Sequence, residues 1–373
     1  MFSKANKSFG PMSTGRARQA LTFAIGTIFA LGIGIWLVGC SKSSERKGEL
    51  VVASYGGAWQ DAQKATMFDP FAKSQSVTVK GVVYDGQYAR IAEMVKAGKV
   101  EWDVVDAEGN MVIRGAKEGI LEPVDYSIVN RTDIIPAAIN DHGVGIVAWS
   151  WVLAYKRGLL NEEQLKEPWK VFFDPKAVPG ARGLRNDPRR TLEIALLADG
   201  VPPNKLYPLD VDRAFRVLTK FRNQMRASGY PIVWWDAYAQ PPQLLRDGEV
   251  VLTPAANGRI ADAQKEGAPI DFTWNDGIVD FDWWIVPRGT PNQKLAMQFI
   301  AFASSPQAQS AIIRRIPYGP VSKAALARLP VDVASRLPTY PANLQREMMF
   351  DTQWWADHLD KIQERWNQWR TSN

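Results

Sequence analysis

Residues 49–62, ELVVASYGGAWQDA, set a paired glycine between an apolar run and a helical pattern, and the reading of that junction decides the fold. ELVVAS has the length and composition of a buried strand, and behind it Ala58, Ala62, Ala65, Phe68 and Ala72 recur at helical spacing. Gly56 and Gly57 therefore mark a strand-to-helix turn where backbone amides are free and a ligand can come close. A G-x-G-x-x-G pattern is missing, so dinucleotide binding has little support. A turn that simply needs positive φ is the plain alternative. The flanking Tyr55 and Trp59 tilt the reading toward a ligand surface.

The same alternation continues outward. VTVKGVV (77–83) is a second strand, Tyr88, Ile91, Ala92 and Val95 mark a second helix, and DVVD (103–106) is a third strand before a helical stretch from about Asn110. Strands alternating with helices argue for βαβ units and a largely parallel sheet covered by helices. From about residue 190 helices dominate. Val211, Ala214, Phe215, Leu218, Phe221 and Met225 line one helix face that Asp210 can cap and Ser228-Gly229 can end. Strands return at VVLTPA (250–255) and WWIVP (283–287), and helices follow from about Gln293 and at Ser305-Pro306. Trp355, Leu359, Ile362, Trp366 and Trp369 form a final stripe whose spacing fits core packing better than a free partner-binding face.

The amino terminus reads differently. Lys4, Lys7, Arg16 and Arg18 precede an uncharged, mostly apolar run from Leu21 to Val38, the pattern of an export signal over residues 1–39. Leu37-Val38-Gly39-Cys40 resembles the lipobox of bacterial lipoproteins, which implies a lipid on Cys40, the sole cysteine. An uncleaved membrane anchor or a chance free thiol is the alternative. Removing 39 of 373 residues leaves 334, and losing four cations takes the net charge from +6 to +2. The basicity thus belongs largely to the signal, and nucleic-acid binding loses its support. Such a chain buries a large core, its length favours two domains, and packing must hold it without a disulfide.

Common catalytic patterns are missing: His142 and His358 stand far apart, and there is no G-x-S-x-G, phosphate loop or Cys/His cluster with metal spacing. No metal or cofactor is implied. Carboxylate pairs survive as an enzymatic alternative, because Asp280 with Asp282, or Asp106 with Glu108, share a strand face at i, i+2. Solvated edges are the commoner outcome of such pairs. Fifteen tryptophans, with doublets at 234–235, 283–284 and 354–355, fit a core plus aromatic walls for a small polar or cationic solute.

Taken together, SYGGAWQDA, DVVDAEGNMVIRGAKEGILEPVD, GLRNDPRRTLEIALLADG, LLRDGEVVLTPAANGRI, DFDWWIVPRGTPN and IPYGPVSKAAL resemble, in order and spacing, the substrate-binding proteins of ABC importers, in the spermidine/putrescine-binding branch and its relatives. The resemblance implies an α/β, two-lobed periplasmic binding protein of type II, each lobe a mixed sheet flanked by helices, with a ligand cleft between them. It places chain crossings near 145–150 and 276–284, an anchor linker over 40–47, lobe one at 48–146 with 283–330, lobe two at 147–282, and a helical segment over 331–373 packed on the lobes. It also implies a monomer on the periplasmic or cell-surface side of the membrane, binding without turnover and delivering a small solute to a permease with its ATPase subunits.

Carried over residue by residue, the resemblance puts Tyr55, Gly56 and Gly57 on the cleft lip and aligns Asp187, Asp282 and Tyr318 with positions that hold polyamines. The other expected ligand residues are Asp106, Arg190, Asn257 and Asp280. Several positions depart from the polyamine pattern: Ala256 stands for a tryptophan, Asp280 for an aromatic, Arg190 for a second acid and Gly109 for a tyrosine. Fewer stacking walls and an added arginine leave open a polyamine or related amine, an amino acid-like or opine-like zwitterion, and an organic acid. Ferric-ion capture would call for clustered tyrosines, and Tyr318 is a lone candidate. A secreted carboxylate-dependent hydrolase and a purely structural lipoprotein are the alternatives from other classes.

Overall fold

The computed structural model describes residues 48–372; the expected signal, Cys40 and the linker to residue 47 lie outside the described residues. Eleven strands among the described residues join one mixed sheet. They are β1 (Glu49–Ser54), β2 (Thr78–Val83), β3 (Val104–Glu108), β4 (Ile139–Asn140), β5 (Gly143–Lys156), β6 (Arg182–Arg185), β7 (Ile232–Trp235), β8 (Leu252–Ala256), β9 (Ile270–Ile285), β10 (Gly319–Pro320) and β11 (Glu347–Met349). The main path runs β2-β1-β3-β9-β5-β8-β6-β7, with β4 and β10 on β5 and β11 on β9.

Two parallel groups, β2-β1-β3 and β8-β6-β7, hang from opposite ends of a long antiparallel ribbon made by β5 and β9. β3 pairs with the carboxyl end of β9, through Val105–Glu108 against Asp282–Ile285, while β8 pairs with the carboxyl end of β5, through Trp151–Tyr155. The ribbon changes register between Gly145 and Val147 and again between Trp151 and Leu153. The sequence explains its length: GVGIVAWSWVLAYK is buried at every position but the last, as a strand covered on both faces requires, so apolar residues run on without alternating. The strand expected around WWIVP and the crossing expected at 276–284 are consequently parts of one strand.

Helices follow the sequence signals closely. The helix Val211–Ala227 is capped by Asp210, whose carboxylate accepts from the Arg213 N–H at 2.9 Å. Ser305 caps Pro306–Arg315 in the same way through the Ala308 N–H at 3.3 Å. The C-terminal helix, Thr352–Thr371, buries Trp355, Ile362 and Trp366. Its first half carries Asp357 and Asp360 toward Lys117 and Arg114 of the helix Gly109–Lys117; its second half packs Trp366 and Trp369 on Phe215 and Trp234. One helix thus touches both strand groups.

Candidate ligand-binding site

The carboxyl ends of β1, β3 and β8 and interior positions of β5 and β9 meet at a chamber of about 40 Å³ lined by Tyr55, Trp59, Glu108, Trp149, Tyr238, Ala256, Arg259, Asp282 and Tyr318. Five of these nine are aromatic. Trp59 meets Tyr318 edge to face at 5.5 Å between ring centres, and Trp149 meets Tyr238 likewise at 5.9 Å, so the walls hold one another in place. Tyr318 can lie where it does because residue 258 is glycine: a Cβ there would sit 2.2 Å from Cε1 of the ring. Ala256, in the position where polyamine binders carry tryptophan, leaves room in the wall.

Asp282 is the chamber's unpaired carboxyl. It is 9% exposed, accepts the indole N–H of Trp149 at 3.0 Å, and has no cation in ion-pair reach among the described residues. Burial first, then the nearby carboxylates Asp106, Asp280 and Glu108, push its pKa well above the usual aspartate range. Across the chamber Arg259, in the first turn of the helix Asn257–Lys265, makes no salt bridge or hydrogen bond to any described residue. A buried acid and an uncommitted guanidinium therefore share one aromatic-lined space.

Glu108 closes the chamber from the other side. Its carboxylate pairs with Arg189 and accepts from the Tyr238 hydroxyl at 3.2 Å, joining β3 to segments that follow β6 and β7. Burial alone would raise the Glu108 pKa, but Arg189, Arg190 and Arg185 outweigh it and hold the group below its ordinary value. Arg189 is itself fixed by Asp187, which accepts its backbone N–H at 2.8 Å and its Nη2 at 2.7 Å.

The remaining expected residues have other surroundings. Arg190 is fully buried with a left-handed backbone at φ 66°; it pairs with Asp280, and its guanidinium lies 4.5 Å from the ring centres of Trp149 and Phe350. Neither Arg190 nor Asp280 lies on the chamber wall, because each satisfies the other's charge beneath it. Asp106 is also below the wall, where one carboxylate oxygen accepts from Ser54, Trp59 and Gln63 at 2.7–2.9 Å; burial nevertheless pushes its pKa up to about 6. Asn257 is tied up structurally, accepting the Ser150 N–H at 2.9 Å and donating to the Pro317 carbonyl at 3.1 Å. Asp187 is occupied by Arg189 and does not line the chamber. Tyr55, Asp282 and Tyr318 are on the chamber wall, and Gly56 and Gly57 line a second cavity outside it.

Trp149, Tyr238 and Arg259 are wall residues that the motifs did not single out. Trp149 had one signal, its place inside the segment 145–150 that the resemblance marks as a crossing.

The chain has relatives among known proteins. The family model described as bacterial extracellular solute-binding protein matches residues 66–342. A γ-aminobutyric acid-binding protein of Pseudomonas aeruginosa is 41% identical over 326 residues, covering 86% of this chain and 90% of its own. Among solved structures, AgtB of Agrobacterium tumefaciens R10 in complex with agropinic acid is 35% identical with a TM-score of 0.75, covering 87% of this chain and 99% of its own. An ABC transporter substrate-binding protein from Bradyrhizobium japonicum USDA 110 is 36% identical with a TM-score of 0.78, covering 86% and 99%. The spermidine/putrescine-binding periplasmic protein of Escherichia coli K12 is far more distant, at 22% identity over 293 residues, 76% of this chain and 81% of its own. The expected polyamine branch is thus a remote part of the family and not this chain's near neighbourhood. With its mixed sheet, two strand groups and cleft, the chain belongs to the bacterial extracellular solute-binding proteins and is the two-lobed solute-binding component of an ABC importer.

Proposed function

We propose that the solute is a short ω-amino acid zwitterion of the γ-aminobutyrate type, its ammonium at Asp282 and its carboxylate at Arg259. The observation that carries this is the presence, in one aromatic chamber, of a carboxyl and a guanidinium that each make no salt bridge to any described residue. The buried carboxyl is costly to leave alone, the guanidinium facing it is half-buried and unpaired, and a ligand with opposite ends would satisfy both. A diamine would satisfy Asp282 but would bring a second cation to Arg259. The similarity to a γ-aminobutyric acid-binding protein supports the zwitterion over the polyamine reading.

Around this site we place lobe one at 48–146 with 283–330, lobe two at 147–282, and the 331–373 segment across both. The ligand would bridge the lobes and favour the closed arrangement that Glu108, Arg189 and Tyr238 already knit together. Lipid on Cys40 would hold a monomer on the outer face of the membrane, presented to permease and ATPase subunits, and binding would occur without turnover. A hydrolase would need an acid and a base poised on one substrate, whereas Asp280 is committed to Arg190.

Calorimetric titration of the chain from residue 41 with γ-aminobutyrate, putrescine, spermidine and succinate tests the reading. Binding of γ-aminobutyrate that is lost in both Asp282→Asn and Arg259→Ala supports it. Putrescine binding that outranks γ-aminobutyrate and survives Arg259→Ala would overturn it in favour of a polyamine.

A further inference from the structure

The chamber continues beyond Arg259. Tyr55, Glu108, Tyr238 and Arg259 are shared between its wall and that of a second cavity of about 450 Å³, so these four side chains form a doorway between an inner and an outer room. The outer room is larger by an order of magnitude. It is walled by Gly56 and Gly57 on one side and by Arg185, Arg189 and Ala237 on the other. Its two aspartates, Asp85 and Asp236, are exposed to solvent, while Arg185 and Arg189 line the wall with guanidinium groups that share Asp187 between them, Arg189 pairing with Glu108 as well.

The doorway itself is under-satisfied. The Tyr55 hydroxyl is buried with no hydrogen-bond partner among the described residues; the ring stacks on Tyr84 at 5.3 Å, but the Tyr84 hydroxyl donates to the Asp106 carbonyl instead. A buried hydroxyl in that condition calls for an acceptor from elsewhere. Arg259 lines the same cavity, half-buried and with no hydrogen bond to a described residue. An oxygen atom at the doorway would serve both, and a carboxyl-derived carbonyl is such an atom.

We infer that the outer room is a second ligand subsite, which takes an acceptor-bearing extension joined to the carboxyl end of the amino acid held in the inner chamber. The solute class is then an ω-amino acid conjugate: ammonium at Asp282, carbonyl oxygen at Tyr55 and Arg259, and a carboxylate or hydroxylated tail facing Arg185 and Arg189. This rests on the zwitterion reading of the inner chamber and extends it outward. Volume supports it, since an inner room of about 40 Å³ suits an ammonium and a few methylenes and leaves the rest of any longer solute outside.

The test is calorimetric titration with γ-aminobutyrate and with its glycine amide, γ-aminobutyrylglycine, on the wild type and on Ala237→Trp. Ala237 is exposed and lines only the outer room, so the indole fills that room without touching the core. The expected result is that the conjugate binds the wild type and loses about tenfold or more in affinity in Ala237→Trp, equivalent to about 1.4 kcal/mol, while γ-aminobutyrate affinity is unchanged. Ala239→Trp, on the same wall, should repeat the effect if the first variant folds poorly. Conjugate affinity that is indifferent to both substitutions, or a wild type that binds γ-aminobutyrate and refuses the conjugate, overturns the subsite but leaves the zwitterion reading intact. Binding of the conjugate alone supports the subsite. Binding of neither overturns the zwitterion reading and the subsite with it.

Discussion

Glu108 and Asp282 stand directly opposite one another on the paired strands β3 and β9. Two carboxylates at such a position repel, and each is buried, so the sheet holds together only if both charges are dealt with. Glu108 is neutralised by Arg189. Asp282 has no such partner among the described residues, and burial with the neighbouring carboxylates raises its pKa, which favours the protonated form until a cation arrives. Capture of an ammonium should therefore expel that proton. Titrations in buffers of different ionisation enthalpy should show net proton release on amine binding, with affinity rising as pH rises. Asp282→Asn should abolish the release and weaken amine binding by roughly 2 kcal/mol or more, the scale for truncating one side of a buried charge pair. Zero proton release in the wild type would sink the idea.

Burial also gives the protein without solute a pH-dependent stability. Besides Asp106, raised to about 6, burial lifts Glu193 to about 7 and Glu347 to about 8. Between pH 5 and 8 the folded state thus binds protons that the unfolded chain has already lost, so stability falls as pH rises through these folded values. Glu108 and Asp187 have the opposite sign, but their depressed values act only in more acid solution. A thermal midpoint several degrees higher at pH 5 than at pH 8 is expected, and Glu193→Gln should flatten part of that slope. A midpoint that climbs steadily from pH 5 to 8 would contradict the assignment.

Much of this was legible beforehand, for identifiable reasons. ELVVAS, the Asp210 cap and the Trp355 stripe are local patterns, and local patterns survive folding unchanged. What sequence could not show is which charges consume one another. Arg190 and Asp280 are 90 positions apart, and each looked available as a ligand until β9 brought them together. Arg259 did not stand out as a ligand, because being unpaired is a property of its neighbours and not of its own position.

That difference yields a paired prediction. Arg190→Ala should strip Asp280 of its cation in the interior and cost roughly 3–5 kcal/mol of stability, read as a large fall in thermal midpoint. Arg259→Ala should leave the midpoint nearly unchanged and abolish solute-induced stabilisation. The reverse pattern, with a harmless Arg190 variant that cannot bind carboxylates, would restore Arg190 as the ligand.

Arg189 tests the connection between the two strand groups. Its guanidinium reaches Glu108 on β3 from the segment between β6 and the helix Thr191–Ala198, so it spans the cleft. Arg189→Ala should leave Glu108 buried without its partner and favour separation of the lobes. Small-angle scattering should then report a larger radius of gyration without solute, and added solute should restore the compact value. An unchanged radius in both conditions would mean that the pair decorates an arrangement fixed by other contacts.

Gly258 carries the most local prediction. A methyl group there would overlap the Tyr318 ring, with 2.2 Å to Cε1 and 2.8 Å to Cδ1 and Cζ. Tyr318 cannot retreat freely, because it packs edge to face against Trp59, whose indole N–H is held by Asp106 at 2.7 Å. Gly258→Ala should therefore push the tyrosine into the chamber, at a cost of roughly 1–3 kcal/mol for overpacking, and block the solute sterically. The double variant Gly258→Ala with Tyr318→Phe should not recover binding, because the ring and not the hydroxyl is in the way. Tyr318→Ala on the Gly258→Ala background should recover stability, and recovery of stability without any change in binding between the single and double variants would show that Tyr318 is part of the core and not of the ligand wall.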